Sequence, residues 1–109
     1  MKKEFSGRRS VFIGGTKGIG YAGALELAKR GLSEIVLVGL EEDLAKTSSE
    51  QIQSETGCKA YPFVADISKP EDIENLFEYA KDKLETIDIL VNNAGVAIPV
   101  ELEDEDAEA

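Results

Sequence analysis

This chain of 109 residues reads as a three-layer α/β fold: a doubly wound sheet of four parallel strands in the order 3-2-1-4, covered by helices on both faces. Two observations predict it. Short apolar, β-branched runs alternate with stretches of helical periodicity along the chain. Each connection is long enough for a helical crossover, which makes the strands parallel and the crossovers right-handed. The apolar fraction of 42% with only 3 prolines suits one folded globule.

The first strand is expected at residues 10–13, with Val11, Phe12 and Ile13 as its apolar run. A helix follows at residues 18–30, with Ile19, Ala22, Leu25 and Ala28 as the stripe facing the sheet and Gly31 just past its end. Residues 35–38 form the second strand, ending at Gly39, and their continuous run suits burial on both faces. A second helix is expected at residues 42–55, weakened by Thr47-Ser48-Ser49 and stopped by Gly57. Its stripe is Leu44, Ser48, Gln51 and Ile52.

Residues 60–65 give the third strand. Pro62 cannot donate a ladder hydrogen bond, so this strand belongs at an edge. Ser68 is expected to cap the third helix, with Glu71 at capping-box spacing. Ile73, Leu76, Phe77, Ala80 and Leu84 form the strongest stripe in the chain. The fourth strand is expected at residues 87–91, running into Asn92-Asn93-Ala94-Gly95. The first two helices would cover one face of the sheet and the third helix the other.

The turn Gly14-Gly15-Thr16-Lys17-Gly18-Ile19-Gly20 joins the first strand to the first helix. Gly14 lets the strand turn, Gly18 removes a Cβ where phosphate would approach, and Gly20 permits close helix–sheet packing. The helix would then aim its unsatisfied N–H groups and positive end at a dinucleotide's phosphates. Thr16 would add a hydroxyl donor and Lys17 a positive charge. The segment is neither Gly-x-Gly-x-x-Gly nor a Walker A run, and a plain glycine-rich turn is the bland alternative.

The ribose side stays open. The second strand ends in Gly39-Leu40, followed by Glu41 and Glu42. Leu40 suits packing against adenine. Glu41 would suit the ribose diol of NAD, or it simply starts a helix, where an acid is favourable. Lys17 pulls toward NADP and Glu41 pulls against it.

The net charge is −10 with no histidine, which disfavours nucleic-acid binding. Six of the acids lie between Glu101 and Glu108, so residues 101–109 read as an acidic C-terminal tail after a domain at residues 1–100. No apolar run approaches the roughly 18 residues of a membrane span. The start, Met1-Lys2-Lys3-Glu4-Phe5, lacks a signal-peptide block, and the one cysteine, Cys58, cannot form an internal disulfide, so a cytoplasmic location is expected. Cys58 has no histidine partner and reads as a plain thiol, and isolated carboxylates give no metal signature.

Three separated motifs, the glycine turn, Asp66-Ile67-Ser68 and Asn92-Asn93-Ala94-Gly95, together resemble the N-terminal half of a short-chain dehydrogenase/reductase, a Rossmann-like family, over residues 8–100. That family's first loop reads Thr-Gly-x-x-x-Gly-x-Gly; here Ile13 stands at the threonine position, and a polar tie is lost. The resemblance implies NAD or NADP as cofactor, held by Gly14, Thr16, Lys17, Gly18, Ile19, Gly20, Leu40, Asp66, Ile67, Asn93, Ala94 and Gly95. It implies that Asp66 accepts from the adenine amino group, that Ile67 packs beside adenine, that Asn92 braces the sheet, and that Ala94 and Gly95 approach the ribose. A solvated turn acid at Asp66 and structural amides at Asn92 and Asn93 are the plainer readings. Lys17 matches a basic position associated with NADP, but the family's arginine after the second strand is Leu40 here.

The resemblance also implies hydride transfer by a serine and a Tyr-x-x-x-Lys helix that follow the Asn-Asn-Ala-Gly segment. The chain is expected to stop before them, leaving no catalytic residues of its own. Tyr79 and Lys83 have the right spacing, but their place in the third helix points to packing. A dinucleotide-binding part without complete catalysis is therefore the first expectation, and a structural or engineered fragment without cofactor binding is the second. An active oxidoreductase is a third reading. Self-association through the fourth strand or an uncovered sheet face is expected, because an unpaired edge invites pairing.

Overall fold

The computed structural model of the chain describes residues 4–94. The elements run β1 (Arg9–Ile13), α1 (Gly18–Lys29), β2 (Glu34–Gly39), α2 (Glu42–Thr56), β3 (Lys59–Val64), α3 (Pro70–Leu84) and β4 (Ile89–Asn92). They form one four-stranded parallel sheet of order β3-β2-β1-β4, the order expected from the sequence. Gly95 and the acidic stretch at 101–109 lie outside the described residues.

Alternation along the strands divides the core in two. Val11, Ile13, Val36 and Val38 face α3 and pack with its Leu76, Ala80 and Leu84. Phe12, Ile35 and Leu37 point the other way, to Ala24 and Ala28 of α1 and Ile52 of α2. Residues 35–38 of β2 are at most 1% exposed, each worth roughly 1.5–3 kcal/mol of apolar burial. Pro62 lies in β3, which is an edge strand, so its missing N–H breaks no inner ladder.

Four local expectations need correction. The buried face of α1 is Gly20, Ala24 and Ala28, whereas Ile19 is 84% exposed and Ala22 is exposed. The helix lies so near the sheet that small residues fill the contact; a Cβ on Gly23 would stand 3.2 Å from Phe12 Cζ. In α2 the buried residues are Ala45, Ser48, Ser49 and Ile52, while Gln51 is exposed and Leu44 is half-buried.

Ser68 does not cap α3. Lys69 is the residue before the helix and makes no side-chain capping bond, and Pro70 starts the first turn. The Ser68 hydroxyl donates instead to Asp66 Oδ1. Finally, β4 begins at Ile89 rather than residue 87. Before it, Glu85 takes positive φ at 68° to leave α3, and Asp88 is occupied with Arg9: their backbones bond, and Arg9 N–H donates to Asp88 Oδ2 at 2.9 Å.

Candidate functional site

The strands all end on one side of the sheet, and the crossover reverses direction beside β1. Ligands of open α/β sheets bind outside the strand C-termini at such a switch point. Here that place is a cleft of about 420 Å³, within the usual range of roughly 300–1,000 Å³ for small-molecule sites.

The glycine turn forms its floor. Gly14 takes φ +83°, a conformation other residues rarely adopt, and lies tight against the β4 exit: an added Cβ would meet Asn93 C at 3.1 Å and Ala94 N at 3.2 Å. Gly14 N–H donates to Val38 O, and Asn93 N–H donates to Ile13 O, each at 2.8 Å. A Cβ on Gly20 would run into the Gly14 carbonyl oxygen and lie 2.8 Å from Asn93 Nδ2. The glycine turn and the Asn93 corner are thus in direct contact, although 70-odd residues separate them in sequence.

The entry to α1 is bare. Lys17 precedes the helix in extended conformation, no side chain caps it, and its first turn holds no acid. Both other helices carry two acids in the first turn, Glu42 and Asp43 in α2, Glu71 and Asp72 in α3. Helix N-termini carry unpaired N–H groups and partial positive charge, so a bare one suits an anion.

Of the residues singled out from the sequence, the cleft brings together Gly14, Thr16, Lys17 and Leu40 on one side. Asp66, Ile67, Asn93 and Ala94 join them on the other. Leu40 is 70% exposed. Ile67 is buried and serves the α3-side core as well as the cleft. Gly18, Ile19 and Gly20 do not line the cleft wall: Gly18 and Ile19 are exposed beside it and Gly20 packs beneath the turn. Gly95 lies outside the described residues.

Asp66 is fixed by its neighbours. Its Oδ1 accepts from Ser68 Oγ at 2.6 Å and from Ser68 N–H at 3.0 Å, while its own N–H donates to Asp72 Oδ2 at 2.7 Å. The hydroxyl bond, then the backbone bond, hold its carboxyl below the ordinary aspartate range, so it is ionised at neutral pH. Asn92 Oδ1 accepts from Ala94 N–H at 3.1 Å, which bends the chain out of β4. Glu41 immediately precedes α2, makes no capping bond, and also lines the cleft.

Sequence reasoning misses six cleft residues besides Glu41: Ile13, Val38, Gly39, Leu44, Ala65 and Ser68. A glycine closing a buried strand was the available signal for Gly39: a Cβ there would meet Thr16 Oγ1 at 2.5 Å. A helix stripe for Leu44 and a cap for Ser68 are roles that conceal a cleft position.

Two reactive-looking groups lie away from the cleft lining. Lys83 Nζ stands 5.7 Å from the ring centroids of both Tyr79 and Tyr61, and Tyr79 packs on Phe63 at 4.7 Å. That is a cation–π and aromatic cluster between α3 and β3. Burial, with Glu34 nearby, pushes the Cys58 thiol up to about 12, so it is not a nucleophile at neutral pH. Among the described residues no acid, histidine or cysteine cluster could hold a metal ion, and no helix is long and apolar enough to cross a membrane.

Residues 9–109 match the family model of the short chain dehydrogenases. The chain belongs to the short-chain dehydrogenase family. This dehydrogenase-family chain is 36% identical over 96 residues to the 3-oxoacyl-(acyl-carrier-protein) reductase of Aquifex aeolicus, covering 88% of itself and 38% of that protein. It is also 36% identical over 98 residues to the short-chain dehydrogenase/reductase homolog YusS of Bacillus subtilis, covering 90% of itself and 89% of that protein. Among solved structures, the L-sorbose reductase of Gluconobacter frateurii, complexed with NADPH and L-sorbose, superposes with a TM-score of 0.82 at 30% identity. The match covers 99% of this chain and 41% of that one. The family domain here therefore spans about two-fifths of the reductases it matches and nearly the whole of one relative.

Proposed function

We propose that this domain binds a nicotinamide dinucleotide, NAD or NADP, across the cleft at the strand C-termini. It would serve as the nucleotide-binding part of a short-chain dehydrogenase/reductase. The observation that carries the reading is the meeting of three distant motifs on one cleft: the glycine turn, the Asp66 corner and the Asn93–Ala94 corner. The residues fit the group. Gly14 and Gly20 leave no room for a Cβ behind the turn, and a Cβ on Gly18, at φ +60°, would meet no protein atom within 4 Å. That open side is where phosphate oxygens would approach the bare start of α1.

Asp66 uses Oδ1 for Ser68, which leaves Oδ2 to accept from an adenine amino group. Leu40 and Ile67 supply apolar walls for the ring. Lys17 and Glu41 face the same cleft with opposite charge, and their balance sets the preference between a ribose 2′-phosphate and a free diol.

A bound dinucleotide would supply the hydride-carrying ring. The described residues bind and orient it, and Tyr79 and Lys83, turned to packing, supply no proton donor at the cleft. The acidic stretch at 101–109 adds repulsion that favours solubility. A cytoplasmic setting accords with the one free cysteine.

Among the described residues β4 is an edge strand and carries Leu90, 43% exposed, a surface suited to self-association. Sedimentation velocity tests this: Leu90→Glu should shift any dimer to monomer, and a wild-type monomer at all concentrations would refute it.

Calorimetric titration with NAD, NADH, NADP and NADPH tests the main reading. Saturable binding by at least one is expected, weakened in Gly18→Ala. A folded protein that binds none of the four would leave only a structural role for this domain.

A further inference from the structure

The Thr47-Ser48-Ser49 run, a weak point of α2 by propensity, holds two buried serines that behave differently. Ser48 is 5% exposed and Ser49 is 2% exposed. Among the described residues Ser49 Oγ has no hydrogen-bond partner. Ser48 Oγ donates to the backbone carbonyl of Thr16 at 2.6 Å, a buried bond between α2 and the glycine turn.

A helical serine or threonine ordinarily returns its hydroxyl to a carbonyl one turn back. Thr56 does so, donating to Ile52 O at 2.7 Å. Ser48 instead reaches 32 residues back in sequence, to the peptide that joins Thr16 to Lys17. That peptide is trans. Its carbonyl and N–H therefore point in opposite directions, and tying the Thr16 oxygen to α2 turns the Lys17 N–H away from α2. The side chain of Thr16 is held as well, seated where Gly39 lacks a Cβ: one added there would stand 2.6 Å from Thr16 Cγ2. With no side chain capping α1, these outside contacts fix the turn without occupying the N–H groups at the start of the helix.

We propose that Ser48 is a positioning residue for dinucleotide binding, holding the peptide between Thr16 and Lys17 so that the glycine turn is already shaped to receive phosphate. The proposal rests on the reading of the cleft as a dinucleotide site. Pre-shaping matters because a turn ordered only on binding subtracts its ordering cost from the affinity.

Ser48→Ala removes the donor and leaves the Thr16 carbonyl buried and unpaired, whereas Ser49→Ala removes a hydroxyl that bonds nothing. Calorimetry with the tightest-binding of the four dinucleotides should show Kd raised about tenfold in Ser48→Ala, equivalent to about 1.4 kcal/mol. Ser49→Ala should bind as wild type. Urea unfolding of the same proteins separates affinity from stability. Unchanged Kd in Ser48→Ala, or an equal loss in Ser49→Ala, overturns the proposal.

Hydrogen exchange on the free proteins is the second measurement. Amides of residues 17–20 should exchange faster in Ser48→Ala, with β2 amides unchanged; equal exchange in the turn overturns the proposal. This arm stands even if wild type binds no dinucleotide, a result that would sink the cofactor reading alone. If Ser48→Ala does not fold, Ser48→Thr, which keeps the donor, carries the test. It should retain wild-type protection of residues 17–20, and loss of that protection overturns the proposal.

Discussion

The turn after β1 and the turn after β3 leave the same side of the sheet and line the same cleft, yet they are held in opposite ways. The β3–α3 turn is tied by its own side chains: Asp72 accepts from the Asp66 N–H, and Asp66 accepts twice from Ser68. Among the described residues the β1–α1 turn has no such ties. It is shaped by glycines and braced from outside by Ser48, by Asn93 and by the vacant side of Gly39. On the proposed dinucleotide reading, the difference follows from what each turn would present. A turn that grips an anion with backbone N–H groups cannot let its own side chains consume them. A turn that offers a carboxylate can be self-contained, because the ties fix the carboxylate's position without neutralising it.

The comparison can be broken most sharply at Gly20. Gly20→Ala drives a Cβ into the Gly14 carbonyl, which is backbone and cannot swing aside. A loss of about 3 kcal/mol in urea unfolding is expected, and an unchanged midpoint would show that the turn is not packed from behind.

Asp72→Ala attacks the other turn. Losing a partly buried, charge-assisted bond should cost about 2 kcal/mol of stability. A fall in dinucleotide affinity larger than that of Ser48→Ala would reverse the assignment of which turn grips the ligand.

Lys17→Ala should lower NADPH affinity about threefold, the scale of an exposed charge pair, and leave NADH nearly unaffected. Equal losses would move Lys17 from the 2′-phosphate to the pyrophosphate.

The smallest effect concerns pH. Because the Asp66 carboxyl in the folded chain lies below its ordinary value of 3.8, its contribution to stability is present above that value and fades as pH falls through the lowered one. Ser68→Ala removes the larger cause. The NMR titration midpoint of Asp66 should then move up toward 3.8, and an unmoved midpoint would show that the hydroxyl bond does not govern the carboxylate.

Much of the architecture was readable because it depends on pattern. The continuous run at residues 35–38 marked a strand covered on both faces, and Pro62 marked an edge. The strongest stripe, in α3, does bury Leu76, Ala80 and Leu84. The stripe of α1 misleads because a spacing of three from Ile19 drifts around the helix, whereas the buried face, Gly20, Ala24 and Ala28, runs at a spacing of four. Where a helix backbone nearly touches a sheet, glycine and alanine fill the contact, and Ile19 is left exposed beside the cleft. Ser68 misled because Ser-x-x-Glu spacing fits a capping box equally well, and only the nearby Asp66 Oδ1 decides where the hydroxyl donates.

By itself the sequence determined the order of elements, the parallel sheet and the glycine turn, because period, chain length between strands and absent side chains are local properties. The family resemblance already grouped Asp66 and Asn93 with that turn; the tertiary structure alone decided that Asn93 braces it by direct contact and that Ser48 rather than Ser49 reaches the Thr16 carbonyl. Those choices rest on distances between residues remote in the chain, fixed only once the sheet order places their strand ends side by side.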